Sequence, residues 1–152
     1  MATRNPVSTA NILGHPLHPM LIPFPIAFLV ATFVCDLIFW RTGNGAWATA
    51  ALWLLGAALV MAALAAVAGL TDFLGDARIR DIGAAWRHMI GNVAAVLLSL
   101  WNWYRRYDGG EAAVLPTGLV ISLVVVLILL YPGWRGWERV YRHRVAVYDE
   151  PR

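Results

Sequence analysis

The sequence has few charged side chains, no lysine and a single cysteine. Only 14% of its 152 residues are charged, and all 12 basic residues are arginine, so the formal charge of +3 is fixed at ordinary pH. Cys35 has no second cysteine in the chain with which to form a disulfide. Glycine-rich phosphate loops, nucleophile elbows and zinc-protease motifs are also missing from the sequence. These absences argue against an ordinary water-soluble domain and against the commoner enzyme classes.

Most of the sequence is apolar. Hydrophobic residues make up 60% of the chain, and its mean hydropathy is +0.62. Four stretches are long enough to cross a bilayer as helices, at residues 20–40, 47–70, 88–104 and 112–131. The links at 41–46 and 105–111 are short, which predicts two antiparallel hairpins. We therefore expect an all-α integral membrane four-helix bundle, with residues 1–152 forming a single membrane domain.

The arginines predict the orientation of this bundle. If the N-terminus is inside, the outer face holds only Arg41, Arg105 and Arg106. The remaining arginines share the inner face: Arg4, Arg78, Arg80, Arg87, Arg135, Arg139, Arg142, Arg144 and Arg152. The positive-inside rule then places both termini in the cytoplasm.

Two segments outside the spans are expected to lie along the inner membrane surface. Residues 71–87 mix charges with apolar side chains and form an interfacial, partly helical loop. Residues 134–148 alternate arginines with tryptophan, tyrosine and valine, which predicts an amphipathic C-terminal tail on the lipid headgroups. Because the arginines are spread along these membrane-facing segments, the bilayer is the expected partner and nucleic acid is not.

The first span begins with prolines that a regular helix does not accommodate. Pro19 fits the first turn of a helix, whereas Pro23 and Pro25 each remove a backbone hydrogen bond if the helix has already begun. The sequence therefore predicts a kinked or broken start. Irregular backbone at membrane depth is tolerated when it is packed against protein or lines a cavity, so we expect neighbouring elements around this segment.

All four histidines fall on the inner side of the predicted bundle. His15 and His18 precede the first span, His88 opens the third, and His143 lies in the C-terminal tail. Two imidazoles from different transmembrane helices are suited to be the axial ligands of a b-type haem, and three or four are suited to zinc or copper. The histidine cluster is therefore a candidate cofactor or metal site, with His18 and His88 as its principal ligands and His15 and His143 as additional or alternative ones.

Three polar residues near these spans have both a functional and a structural interpretation. Asn92 lies one turn beyond His88 and is a candidate to orient that ring. Asp72, at the inner end of the second span, is a candidate to accept a histidine N–H, but the slightly favoured interpretation is that it pairs with Arg78 or Arg87 at the membrane surface. Asp36 lies inside the first span, and the favoured interpretation is that its side chain snorkels to the outer face, where Arg41 or Arg106 is available.

The opening segment, Gly14-His15-Pro16-Leu17-His18-Pro19-Met20-Leu21-Ile22-Pro23-Phe24-Pro25-Ile26-Ala27, resembles the signature of a bacterial membrane family catalogued as domain of unknown function 2231. Three further pieces fit in order: Gly69-Leu70-Thr71-Asp72, His88 with Asn92, and Val140-Tyr141-Arg142-His143-Arg144-Val145-Ala146-Val147. The resemblance covers nearly the whole chain and departs from the pattern at Ala146, where glycine is expected. It implies a small four-helix inner-membrane protein without an established activity. Some relatives carry a Rieske-type iron–sulfur module, which implies electron transfer and favours haem over a plain metal site; this chain lacks the cysteines for such a module.

These observations lead to a redox-linked haem- or metal-binding protein of the inner membrane as the first hypothesis. Its electron partner is expected to be a separate protein or a quinone, and a homo-oligomer is compatible with the sequence. Whether the chain is an enzyme stays open. One alternative is a structural or accessory subunit whose histidines only stabilise the interface. Another, less favoured, is a small proton or ion conduit that uses Asp36 and the histidines.

Overall fold

Helices account for nearly all of the chain that the structure describes. The computed structural model describes residues 9–75, 77 and 83–130. Within them, three helical stretches are long and apolar enough to cross a membrane, at Leu17–Thr42, Gly45–Gly75 and Ala85–Leu130. The all-α class and the membrane character expected from the sequence are thereby confirmed at this level. The predicted C-terminal tail at 134–148 and His143 lie outside the described residues.

A small hairpin precedes the first helix. Strands β1 (Asn11–Ile12) and β2 (His15–Pro16) pair antiparallel. Leu13 and Gly14 connect them with positive φ angles of 51° and 81°, the combination that a tight type I′ turn requires. The Ala10 amide donates to Asp72 Oδ1 at 2.7 Å, and the Ala10 carbonyl accepts the Leu17 amide at 2.9 Å. The hairpin is thus held against the C-terminal end of the helix that carries Asp72.

The prolines interrupt the first span at a single residue. Helix α1 (Leu17–Leu21) ends at Ile22, and α2 (Pro23–Thr42) begins directly afterwards with Pro23 at its first position. Pro23 has no amide hydrogen to leave unpaired there, which is why proline is favoured at the start of a helix. The Ile22 amide still bonds the His18 carbonyl at 3.1 Å, and the Ile26 amide bonds the Ile22 carbonyl at 3.4 Å, so backbone hydrogen bonds join the two helices across the break.

Helices α2 and α3 (Gly45–Gly75) form the first hairpin. Gly43 ends α2 in the left-handed conformation, with φ 63°, and its amide bonds the Phe39 carbonyl at 2.8 Å. Asn44 then accepts the Ala46 amide on its side-chain oxygen at 3.0 Å, which satisfies a free donor at the start of α3. Helix α3 runs five residues beyond the predicted end of the second span, into the segment that was expected to be an interfacial loop.

The second hairpin consists of α4 (Gly83–Gly109) and α5 (residues 119–130 as described), joined by an irregular turn. The turn contains a 3₁₀ segment, Gly110–Ala113, and a wider segment, Val114–Gly118, in which Leu115 is extended and its bond to Pro116 is cis. Asn102 on α4 bonds the Gly118 carbonyl and Ser122, whereas Ala95 packs with Val125. Earlier residues of α4 thus meet later residues of α5, so these two helices run antiparallel.

The two hairpins pack against each other around a small central core. Leu29, Leu55, Ala58, Ala95 and Val125 form this core, with one or two residues from each of α2, α3, α4 and α5. A second cluster of Phe39, Ala48 and Val114 lies at the end where the turns are. Large apolar side chains elsewhere point outward, such as Trp53 (75% exposed) and Val67 (68%). That arrangement is the one expected of helices whose outer faces contact lipid.

Candidate functional site

His18 and His88 lie close together at one end of the described helices. Their ring centroids are 6.2 Å apart, and the ring planes are nearly perpendicular, at 89°. His18 lies on α1 and is half-buried, and His88 lies on α4. The sequence placed His88 at the start of the third span, but α4 begins at Gly83, so His88 lies more than a turn inside the helix. Among the histidines that the structure describes, the two singled out as principal ligands are therefore brought together.

The His18 ring is oriented by the backbone of α3. Its Nδ1 lies 2.7 Å from the Ala65 carbonyl oxygen. Because a carbonyl oxygen only accepts hydrogen bonds, Nδ1 carries the proton, and Nε2 of the neutral ring retains a free lone pair. Metal-ligating imidazoles usually donate such a hydrogen bond from the nitrogen that does not bind the metal. The bond fixes both the tautomer and the orientation of the ring.

A cavity of about 490 Å³ extends from the two histidines into the bundle. Its walls come from all five helices and are almost wholly apolar; they include Leu29 and Ala95 of the central core, and Leu129. Its few polar lining residues are His18, His88, Asn92 and Asp72. An apolar cavity with a few polar groups at one end is the usual form of a site for a cofactor or a small molecule.

The other proposed site residues occupy different positions. His15 is exposed on the N-terminal hairpin, with Nδ1 3.1 Å from the Leu13 carbonyl oxygen. Asn92 lines the cavity, and its amide donates to the backbone carbonyl of His88 at 2.8 Å, so this bond does not involve the ring. Asp72 lines the cavity as well and accepts the Ala10 amide, which gives it a role in holding the hairpin. Among the described residues, no three His, Cys, Asp or Glu side chains are grouped to hold one metal ion.

A buried ion pair lies at the opposite end of the bundle. Arg106 donates to both carboxylate oxygens of Asp36, at 2.6 and 2.7 Å, and both side chains are almost completely buried, at 2% and 0% exposed. Ser122 also donates to Asp36, at 2.7 Å, and Asn102 accepts the Arg106 Nε–H at 3.1 Å. The interpretation that Asp36 snorkels to the outer face is wrong, because its carboxylate turns inward and joins α2 to α4 and α5.

The pairing with Arg106 was one of two options visible in the sequence, whereas Asn102 and Ser122 were missed. The signal for Asn102 was its position one turn before Arg106 on the same helical face. Nothing in the sequence identified Ser122, because its proximity depends on the turn at 110–118. With both oxygens of Asp36 occupied, the hypothesis of a proton conduit through this carboxylate gains no support from the structure.

Comparison with known proteins identifies a family and nothing more specific. No match was found among curated proteins or among solved structures. The family model described as "Predicted membrane protein (DUF2231)" matches residues 14–149, which include the second strand of the hairpin, both histidines of the pair and the buried ion pair. The chain therefore belongs to the DUF2231 family of predicted membrane proteins, as its opening motif indicated.

Proposed function

We propose that this chain is a redox-linked protein of the bacterial inner membrane that holds a b-type haem between His18 and His88. The observation that carries this proposal is the pair of imidazoles, from two different helices, 6.2 Å apart at the end of an apolar cavity. Metal–nitrogen bonds are about 2 Å long, so two imidazoles that would hold one metal must have their rings only a few ångströms apart. The observed separation fits that requirement.

Haem is favoured over a bare metal ion because it needs only two ligands from the protein. Zinc sites use three or four protein ligands. For a bare transition metal, the additional ligands would come from His15 or His143, with Asp72 and Asn92 in supporting positions. The apolar walls around Leu29, Ala95 and Leu129 also suit the flat, lipophilic face of a porphyrin.

The residues of this chain would hold the cofactor and control its surroundings. In the neutral ring of His18, Nε2 keeps its lone pair as a ligand, because Nδ1 carries the proton and donates it in a hydrogen bond to the Ala65 carbonyl. Leu29 and Ala95 of the central core line the cavity and would give a bound cofactor apolar surroundings. When bound, a haem iron supplies one-electron transfer, and its exchange partner would be a separate redox protein or a quinone in the bilayer.

The same proposal includes the membrane topology. The antiparallel packing of α4 and α5 supports a bundle of four membrane-crossing helices, and the arginine distribution supports cytoplasmic termini. In this orientation the histidine pair lies near the cytoplasmic surface, and the Asp36–Arg106 pair lies near the outer one.

Substitution of single histidines tests the proposed site. His18→Ala and His88→Ala are expected to lose bound haem, because each removes an axial ligand. His15→Ala is the matched control, since His15 is exposed on the hairpin and is expected to leave haem content unchanged. The measurement is the ratio of haem to protein in detergent-purified samples from cells supplied with a haem precursor. A wild-type protein without haem or metal, with only modest stability changes in the variants, would favour the structural or accessory subunit.

A further inference from the structure

Helix α3 contacts the His18 ring at two residues that are one helical turn apart, Ala65 and Gly69. The Ala65 contact is the hydrogen bond from Nδ1 to its carbonyl oxygen. In a continuous α-helix that carbonyl also accepts the Gly69 amide, and the imidazole uses its second lone pair. A side chain from another element reaches a helix carbonyl in this way only where the neighbouring side chains are small.

Gly69 provides the space that the ring occupies. A Cβ atom built on Gly69 would lie 2.7 Å from both Cε1 and Nδ1 of His18, and 3.2 Å from Nε2. Carbon atoms of real side chains do not approach other atoms as closely as 2.7 Å, so an alanine at this position requires the imidazole to move. The atoms closest to the added methyl group include Nδ1, which makes the hydrogen bond, and displacement of the ring therefore strains or breaks that bond.

We infer that Gly69 is a positioning residue, which lets the Ala65 carbonyl fix the tautomer of His18 and leave Nε2 free as a ligand. This inference rests on the proposed function for its biological meaning, because a fixed, unprotonated Nε2 is what a metal or haem iron requires. The geometry itself belongs to the protein without any cofactor. Gly69 and Ala65 contact the His18 ring, and they would affect a bound cofactor only through that ring.

The test is nitrogen-15 NMR of the histidine rings in cofactor-free protein, in detergent, for wild type, Gly69→Ala and Gly56→Ala. The chain has only four histidines, so the His18 signals are assigned by comparison with His18→Ala. Gly56→Ala is the matched control, because Gly56 lies on the same helix. Its added Cβ would lie 3.0 Å from the indole nitrogen of Trp103, and its nearest neighbours do not include His18. Both variants gain the same helix propensity.

Wild type and Gly56→Ala are expected to show one neutral tautomer of His18, with a protonated Nδ1 and an unprotonated Nε2. Gly69→Ala is expected to lose this preference for a single tautomer, so that both ring-nitrogen signals of His18 shift toward the average of two exchanging tautomers. A wild-type His18 that carries its proton on Nε2 would overturn the inference without any variant, and so would a Gly69→Ala spectrum identical to that of Gly56→Ala.

Haemin titration of the same samples separates this inference from the proposed function. If the function is right, Gly69→Ala binds haemin at least about tenfold more weakly than Gly56→Ala, the typical loss when a group that orients a ligand is disturbed. If wild type binds no haemin but the tautomer is fixed by Gly69 as described, the proposed function fails and the positioning role stands.

Discussion

At the scale of single residues, the most constrained group is the ion pair between Asp36 and Arg106. Desolvating two charges is expensive, and their attraction compensates only when the geometry is good and the remaining hydrogen-bonding capacity is used. Here the guanidinium is bidentate, and Ser122 and Asn102 add further bonds. Removal of one partner then leaves the other charge buried without compensation, which is more damaging than the absence of both.

Asp36→Asn is accordingly expected to lower the free energy of unfolding by about 3 kcal/mol, since Arg106 stays charged in a site with no carboxylate. Ser99→Ala is the control. Ser99 is equally buried, but its hydroxyl has no hydrogen-bond partner among the described residues, so its loss is expected to change stability by less than about 1 kcal/mol. The two stability changes are measured by unfolding each variant in detergent with added dodecyl sulfate and monitoring the tryptophan fluorescence. Equal effects of the two variants would contradict the assignment.

The sequence alone could locate Asp36 within a span, because an acid in a run of apolar residues is conspicuous. It could not choose between Arg41 and Arg106 as the partner. Arg41 is nearer in sequence but sits at the exposed end of α2, whereas Arg106 reaches Asp36 only because α4 packs beside α2 in a particular register. That register is set by contacts over many residues and has no local signal.

At the scale of elements, the turn between α4 and α5 determines which residues of the second hairpin meet. Gly118 sits where this turn ends, and a Cβ there would lie 2.7 Å from the Ala113 carbonyl oxygen and 3.0 Å from an Arg106 nitrogen. Its carbonyl also accepts a hydrogen bond from Asn102. The absence of a side chain at Gly118 thus allows the turn and the ion-pair network to pack together.

Gly118→Ala is expected to destabilise the protein by about 1–3 kcal/mol, the usual effect of overpacking a buried position. Gly91→Ala offers a matched comparison on α4, because nothing lies within 4 Å of its added Cβ. That variant is expected to be neutral or stabilised by up to about 1 kcal/mol through helix propensity. The same unfolding assay compares them, and a Gly118→Ala protein as stable as Gly91→Ala would show that the turn is not packed as described.

Element boundaries were predicted less well than element existence. The predicted fourth span began at residue 112, but the chain is still turning there, and the regular helix begins at 119. Hydropathy does not distinguish an apolar turn from an apolar helix. Pro116 inside the predicted span was a local signal for a later start, because proline disfavours a helical conformation at the residue before it. Helices α3 and α4 are longer than the predicted spans, because hydropathy finds only the apolar part of a helix and misses the polar residues that continue it.

At the scale of the whole molecule, the bundle has two different ends. One end holds the histidine pair and the cavity, and the other holds the closed ion-pair network, with the apolar core between them. The sequence anticipated the histidine end, because every histidine lies on one side of the predicted spans. It could raise a cavity at this end as a possibility but could not predict its volume, which depends on how far the helices separate there.

The proposed orientation makes a direct prediction for cysteine labelling. In a Cys35→Ala background, Asn44→Cys lies in the exposed α2–α3 turn and is expected to react with a membrane-impermeant maleimide in spheroplasts. Ile12→Cys, on the 60%-exposed position of the N-terminal hairpin, is expected to react only after the cells are lysed. Both cysteines labelling in intact spheroplasts, or the reverse pattern, would contradict cytoplasmic termini.

The central claim is that His18 and His88 hold a haem, and the most direct measurement is the visible spectrum of the purified wild-type protein, oxidised and reduced, with metal analysis of the same sample. The proposal predicts about one haem per chain, with the sharp reduced-state bands of a low-spin iron that has two histidine ligands. A protein that is fully folded in mild detergent, lacks haem as purified and binds none when haemin is added would contradict it.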